Sequence, residues 1–361
     1  MDDRERLLAC LRGEPADRAP FWLNWAPWDT ARTRWEREGL APGESYRARF
    51  DPDEPPQVVP VNCGPCPRKE RTLVEEDEDY VTFIDRWSIK RRDYKRGMSM
   101  PEFLEFPVAD RESWERFRDE KLDPEHPGRL AGDWLGRCQA WMADGVPIQL
   151  GYYPDVTFYG GARWLLGDEE VLLSFYTQPD LLHEIMDHLC GLYLHVFEQV
   201  VGSGVRVDVI HIWEDMCGRQ GPLISPAHWR EFLGPRYRRI KEFADRHGIQ
   251  FVSVDTDGWP GPIVAPMMEA GVNFLWPLEV AAGCDVNWFQ EEYPDLAVMG
   301  GIDKRALARG PAAVDAELER IRPAIERGRY VPALDHCVPD DVSWLNYCHY
   351  AEALKLLVGK Q

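Results

Sequence analysis

A chain of 361 residues with 44% hydrophobic content has enough apolar material for one large α/β barrel, and residues 1–361 are read as a single domain. Its 62 acids against 42 bases give a formal charge of −20, which argues against nucleic acid or an anionic membrane as partner. No stretch reaches the roughly 18 apolar residues that a membrane span needs. The charged start Met1-Asp2-Asp3-Arg4 is not followed by a leader-like apolar run, and nine scattered cysteines suit a reducing compartment, so the cytoplasm is the expected location.

In chain order, Arg4 to Leu11 reads as a short leading helix and Pro20 to Leu23 as a candidate first strand. The stretch after it, from Asn24 to Asp29, carries Trp25 and Trp28, candidates for an apolar wall around a ligand. Cys63-Gly64-Pro65-Cys66 matches a thioredoxin-type pair, but Pro67 and a charged run follow where an amphipathic helix is required, so it is read as coincidence. Leu73 to Lys95 reads as an antiparallel excursion, and residues 101 to 130 as an outer helix plus linker.

The rhythm then becomes regular. Strands are expected at Val146–Gly151, Val205–Trp213, Phe251–Val254, Asn273–Trp276, Leu296–Met299 and Tyr330–Leu334, with helices between them. The helix over Gln178 to Val200 has the strongest apolar stripe, and its His183, His188 and His195 lack the i,i+4 spacing of a ligand pair. Alternating strands and helices give a parallel sheet, and no glycine-rich dinucleotide fingerprint follows any strand, so neither nicotinamide nor flavin is expected.

Each strand exit carries polar or acidic residues. Asp255 and Asp257 stand at alternate positions after Phe251–Val254, where side chains two apart point the same way. The other exits supply Tyr152, Tyr153 and Asp155, then Glu214 and Asp215, Glu279, Asp303, and finally His336. In a (β/α)8 barrel such exits share one face, so this fold is expected, with the exits as the active site. The pattern suits general acid–base chemistry, a divalent metal, or a small substrate with amine or hydroxyl groups. Asp215, Glu279 and Asp303 could equally be helix caps.

The run Arg6 to Pro15 with Asp17-Arg18-Ala19-Pro20, the segment Gln220 to Tyr237, and Gly300-Gly301-Ile302-Asp303 resemble the uroporphyrinogen decarboxylase superfamily. So does Asp335-His336-Cys337-Val338-Pro339. That superfamily also contains corrinoid and coenzyme-M-type methyltransferases. The resemblance implies a TIM barrel with N-terminal excursions. Where true uroporphyrinogen decarboxylases carry an arginine-rich loop, this chain has Asn24-Trp25-Ala26-Pro27-Trp28-Asp29, which speaks against a polycarboxylate tetrapyrrole. By motif position, Asp255, Asp257 and His336 replace the thiolate-rich zinc set of the methyltransferases and stand as candidate ligands for a divalent ion, zinc foremost.

The expectation is therefore a methyltransferase-like enzyme moving a methyl group from a small ether or amine to a corrinoid, carried by a partner protein, or to another acceptor. Asp255, Asp257, His336 and Glu214 are the candidate catalytic residues. Trp25, Trp28, Tyr152, Tyr153, Asp155, Glu279 and Asp303 are expected to contact substrate. A decarboxylase of another substrate and a non-catalytic corrinoid- or tetrapyrrole-binding barrel are the alternatives. The resemblance also allows a homodimer.

Overall fold

The computed structural model describes residues 1–96 and 100–360. Its main sheet has seven strands, all parallel and adjacent in chain order: β1 Gln57–Val58, β2 Ile148–Leu150, β3 Val209–Trp213, β4 Phe251–Asp255, β5 Phe274–Leu278, β6 Ala297–Ile302 and β7 Tyr330–Leu334. The sheet is curled, with helices on its outer face. Alternation along the strands sorts the side chains. Val209, Phe251, Phe274, Ala297, Met299, Val331 and Ala333 meet on the concave side, while Ile210, Ile212, Val252, Val254, Leu275 and Val298 pack against the helices.

The concave side is plugged at its N-terminal end by helix α1, Asp3–Arg12. Asp2 and Glu5 form a capping box at its start, and Gly13, at φ +69°, closes it. Leu7, Leu8, Cys10 and Leu11 join the inward strand residues and Trp22 in one apolar cluster that fills the N-terminal end of the cup. The longest helix, α2 Pro179–Gly202, begins on a proline whose missing N–H would be orphaned there anyway. Two of its histidines pack structurally, His188 Nε2 bonding the Leu122 carbonyl at 2.9 Å and His183 stacking on Phe232, while His195 lies 3.5 Å from Glu125.

The expected strand at Pro20–Leu23 does not form. Phe21, Trp22 and Leu23 are buried, yet they join no ladder. Pro20 has no N–H, and the Phe21 N–H is taken by the Asp53 carboxylate at 2.9 Å. The segment instead touches both sheet edges: Asp53 N–H donates to the Phe21 carbonyl beside β1, and Trp28 N–H donates to the Val338 carbonyl beyond β7. The true first strand is the two-residue β1, hidden in a proline-rich stretch.

The excursion is a four-stranded antiparallel sheet whose strands run Thr72–Glu76, Tyr80–Ile84, Lys90–Tyr94 and Glu102–Glu105. Residues 101 to 130, read as helix plus linker, thus contribute one strand before the helix Arg111–Lys121. Cys63 and Cys66 are both buried, burial pushes the Cys63 thiol up to about 12, and no helix follows them. Among the described residues no helix is long and apolar enough to cross a membrane.

Candidate active site

The C-terminal ends of the strands gather the acids. Asp255 is the last residue of β4 and stands opposite Trp213 of β3 and Trp276 of β5 in the ladders. Its carboxyl is held well above the ordinary carboxylate range, first by burial and then by the charges of Asp257, Asp215 and Glu279. Asp257 lies just past the strand, and burial with Glu279 and Asp215 raises it to about 7, partly opposed by Lys304. Gly258 then turns the chain at φ +79° and donates its N–H to Glu279 Oε2 at 2.9 Å. A Cβ there would come within 2.5 Å of the Gly218 carbonyl oxygen, so the loop tolerates only glycine.

His336 follows β7 and places Nε2 at 3.7 Å from Asp257 Oδ2. Burial and Lys304 lower its pKa, so the imidazole is held neutral. Trp25 stacks on it, centroids 4.8 Å apart at 23°, and meets Trp276 edge-on at 6.0 Å. Asp335, fully buried, accepts the backbone N–H groups of Val280 and Lys304, both at 3.1 Å, and burial raises it to about 6. Lys304 reaches Glu279 at 3.6 Å and is the cation of this group.

Trp25, Tyr152, Trp276, Phe274 and Met299 line a cavity of about 200 Å³ with Arg47 and Asn24 in its wall. Tyr152 lies close enough to Asp255 that, after burial, that charge raises its phenol pKa. Below Trp276 lies His211, fully buried and stacked on it at 4.5 Å. Burial takes its pKa down to about 3, so it is neutral; Nδ1 shares a 2.8 Å hydrogen bond with Ser253 Oγ, and Nε2 has no partner.

The remaining candidates lie elsewhere. Glu214 is fully buried, and its oxygens accept from Tyr237 Oη at 2.7 Å, the backbone N–H groups of Phe158, Tyr159 and Gly160, and Thr157 Oγ1. It ties β3 to the start of the helix Tyr159–Leu166 rather than facing the cavity. Asp215, in the left-handed region at φ 45°, bonds Arg163 at 2.8 Å. Asp303 caps the helix Lys304–Ala308 and pairs with Arg305, which outweighs burial and holds its pKa low. Asp155 pairs with Arg86 at 2.7 Å in a neighbouring cavity of about 270 Å³, shared with Tyr152 and Tyr153. Trp28 is half-buried at the start of the helix Asp29–Glu38 and does not line either cavity.

The proposed ligand set Asp255, Asp257 and His336 is not assembled. Among the described residues no three His, Cys, Asp or Glu side chains are grouped to hold an ion. Asp255 ends within the ladder beside Trp276, whereas Asp257 is carried past it by the Gly258 turn toward Glu279 and His336. Sequence reasoning missed Trp276, Lys304, Arg47 and His211. Trp276 and His211 had a signal, since each alternates with an inward apolar residue of its strand.

The chain is thus a curled parallel α/β sheet that gathers acids and an imidazole at the C-terminal ends of its strands. The chain belongs to the uroporphyrinogen decarboxylase (URO-D) family, whose model matches residues 166–356. It is a divergent member. A uroporphyrinogen decarboxylase of Nocardia farcinica is 26% identical over 234 residues, covering 63% of this chain and 61% of that protein. One from Prochlorococcus marinus (strain MIT 9303) is 22% identical over 348 residues, 91% of this chain and 88% of that protein.

Proposed function

We propose that this chain is a closed (β/α)8-barrel enzyme in which Asp257, paired with His336, acts as a general acid on a small substrate held against Trp25 and Trp276. The segment 20–28, touching both sheet edges, stands in for the eighth strand. The observation that carries the reading is the Asp257 carboxyl, raised to about 7 and set 3.7 Å from an imidazole that stacks on Trp25 in the wall of the aromatic cavity. A carboxyl poised near the working pH is what a proton donor needs.

The reaction we favour is removal of a methyl group from an ether or amine. The substrate's C–O or C–N bond breaks with its electron pair left on the heteroatom, which takes the proton of Asp257. The methyl carbon is bonded by the electron pair of an acceptor nucleophile, and a corrinoid on a partner protein would supply such a pair. Without protonation, alkoxide and amide are poor leaving groups. Trp25, Trp276 and Tyr152 hold the substrate and exclude water, while neutral His336 takes up and returns the proton at Nε2. The acids crowding the mouth repel a polycarboxylate, consistent with a substrate unlike that in the relatives' names.

Decarboxylation is the second reading, favoured by those names. There the same acid would protonate the carbon left after carbon dioxide departs. The deciding experiment supplies methoxybenzoates and methylated amines with free cob(I)alamin, following the methylcobalamin spectrum alongside carbon dioxide release. Methylcobalamin formation lost in Asp257→Asn supports methyl transfer. Carbon dioxide from the carboxylated compounds, with no methylcobalamin, replaces it with decarboxylation.

A further inference from the structure

Arg47 is a charged residue in the wall of the aromatic cavity, and it has no carboxylate within salt-bridge distance among the described residues. The other cations around the strand exits are engaged: Arg163 with Asp215 at 2.8 Å, Arg86 and Arg68 with Asp155 at 2.7 and 3.5 Å, Lys304 with Glu279 at 3.6 Å. The Nε of Arg47 is buried without a hydrogen-bond partner. The side chain's two terminal amino groups make no hydrogen bond among the described residues and are not closed off as Nε is, so they are the donors the cavity offers. A half-buried guanidinium without an acceptor gains when an anion arrives.

The cavity's other walls fix the shape of that anion. At about 200 Å³ it is smaller than the roughly 300–1,000 Å³ of a drug-sized site. Trp25, Trp276, Phe274 and Tyr152 offer flat aromatic surface, and a single guanidinium matches one planar carboxylate through its fork of donors. We propose that Arg47 is the specificity determinant of this site, holding the carboxylate of a small single-ring aromatic monocarboxylic acid whose ring lies against Trp25 and Trp276. The orientation of the ligand, with its reacting group toward Asp255 and Asp257, rests on the acid–base function proposed above; the carboxylate contact itself does not.

Binding can be read without turnover, by calorimetry and by quenching of tryptophan fluorescence. The probes are 4-methoxybenzoate and its neutral isostere 4-methoxybenzamide, titrated into wild type, Arg47→Gln and Arg47→Lys. Wild type is expected to prefer the acid by about 10- to 100-fold, the range of one charge-assisted bond. Arg47→Gln should erase that preference while leaving the amide's affinity within about twofold, and Arg47→Lys should restore part of it. The unchanged amide affinity shows that the variant's cavity is intact. Equal affinity for acid and amide in wild type, no binding of the acid, or an unchanged preference in Arg47→Gln overturns the proposal. Asp257→Asn separates the two readings: acid binding kept with methyl transfer lost leaves both standing, whereas full turnover in that variant defeats the acid–base reading alone.

Discussion

His336 Nε2 stands 3.7 Å from Asp257 Oδ2, with the imidazole face covered by Trp25. The pair brings together the turn after the fourth strand and the turn after the seventh, and the two groups are shifted in opposite directions. The acid is raised and the base lowered, each mainly by burial. The neutral–neutral form is thereby favoured over the ion pair, which leaves the proton on the carboxyl for use.

Because Asp257 acts in its protonated form, activity should fall as pH rises through about 7, the value to which its pKa is raised. Asp257→Asn should remove that alkaline limb and lower kcat by about 10²- to 10⁴-fold, the usual weight of a general acid. The check is a kcat profile from pH 5.5 to 9. A variant retaining full rate and the same limb would falsify the assignment.

Lys304 holds Asp257, Asp335 and His336 lower than they would be without it. Replacing it by Met should move the alkaline limb upward, by about half a unit to one unit for a partly screened charge. The same profile measured on Lys304→Met decides this; a limb that stays in place, or moves down, contradicts it.

The sequence made the fold legible where the chemistry was periodic. Six of the seven strands were visible as apolar runs ending in acids, since a strand buried on both faces needs such a run. The seventh was not, because Gln57–Val58 is too short to show a period, and Pro20–Leu23 looked stronger while giving its backbone N–H to a carboxylate. Within the site, Asp255, Asp257 and His336 were readable as strand exits. Glu214 was read in the same way, yet its neighbours turn it inward to five donors, a relation between β3 and residues 157–160 that no local pattern encodes. Arg47 lies in an irregular stretch and carries no local signal at all.

Gly258 couples loop shape to chemistry. Gly258→Ala forces a side chain into a left-handed conformation and into the Gly218 carbonyl, 2.5 Å from the new Cβ. Stability should drop by at least about 1 kcal/mol. More telling, the loop must shift the Asp257 carboxyl away from His336, so kcat should fall further than the melting midpoint alone suggests. Activity per folded molecule, measured well below the midpoint, separates the two effects.

Glu214 should behave as a structural group. Glu214→Ala strands the Tyr237 hydroxyl and three backbone N–H groups in the core, a loss on the order of 3 kcal/mol or more at about 1–3 kcal/mol each. Glu214→Gln keeps one acceptor oxygen and should fold with a smaller loss. Chemical denaturation of both variants tests the order; an alanine variant as stable as wild type would remove the argument.

Stability itself should fall as pH rises from 6.5 to 8. In that window His188, His211 and His336, all with lowered pKa, act the other way. Near pH 6.5 the unfolded imidazoles are still about half protonated while the folded ones are not, so each opposes the fall by at most about 0.4 kcal/mol, an effect spent by about pH 7.5. Glu214 and Asp257, both raised to about 7, still bind protons in the folded state that the unfolded chain has already released. With Asp255, raised further still, these carboxyls hold more excess protons in the fold than the three histidines give up, and raising pH draws the balance toward unfolding as the carboxyls ionise. Fully buried Glu214 contributes about 1 kcal/mol across the window, at about 1.4 kcal/mol per unit of pKa difference. The melting midpoint should thus drop by about one to three degrees between pH 6.5 and 8, and Glu214→Gln should flatten that slope even though it melts lower throughout. A midpoint that climbs over this range, or a slope unaltered by Glu214→Gln, would mean that the carboxyl is already ionised in the fold, held there by its five donors.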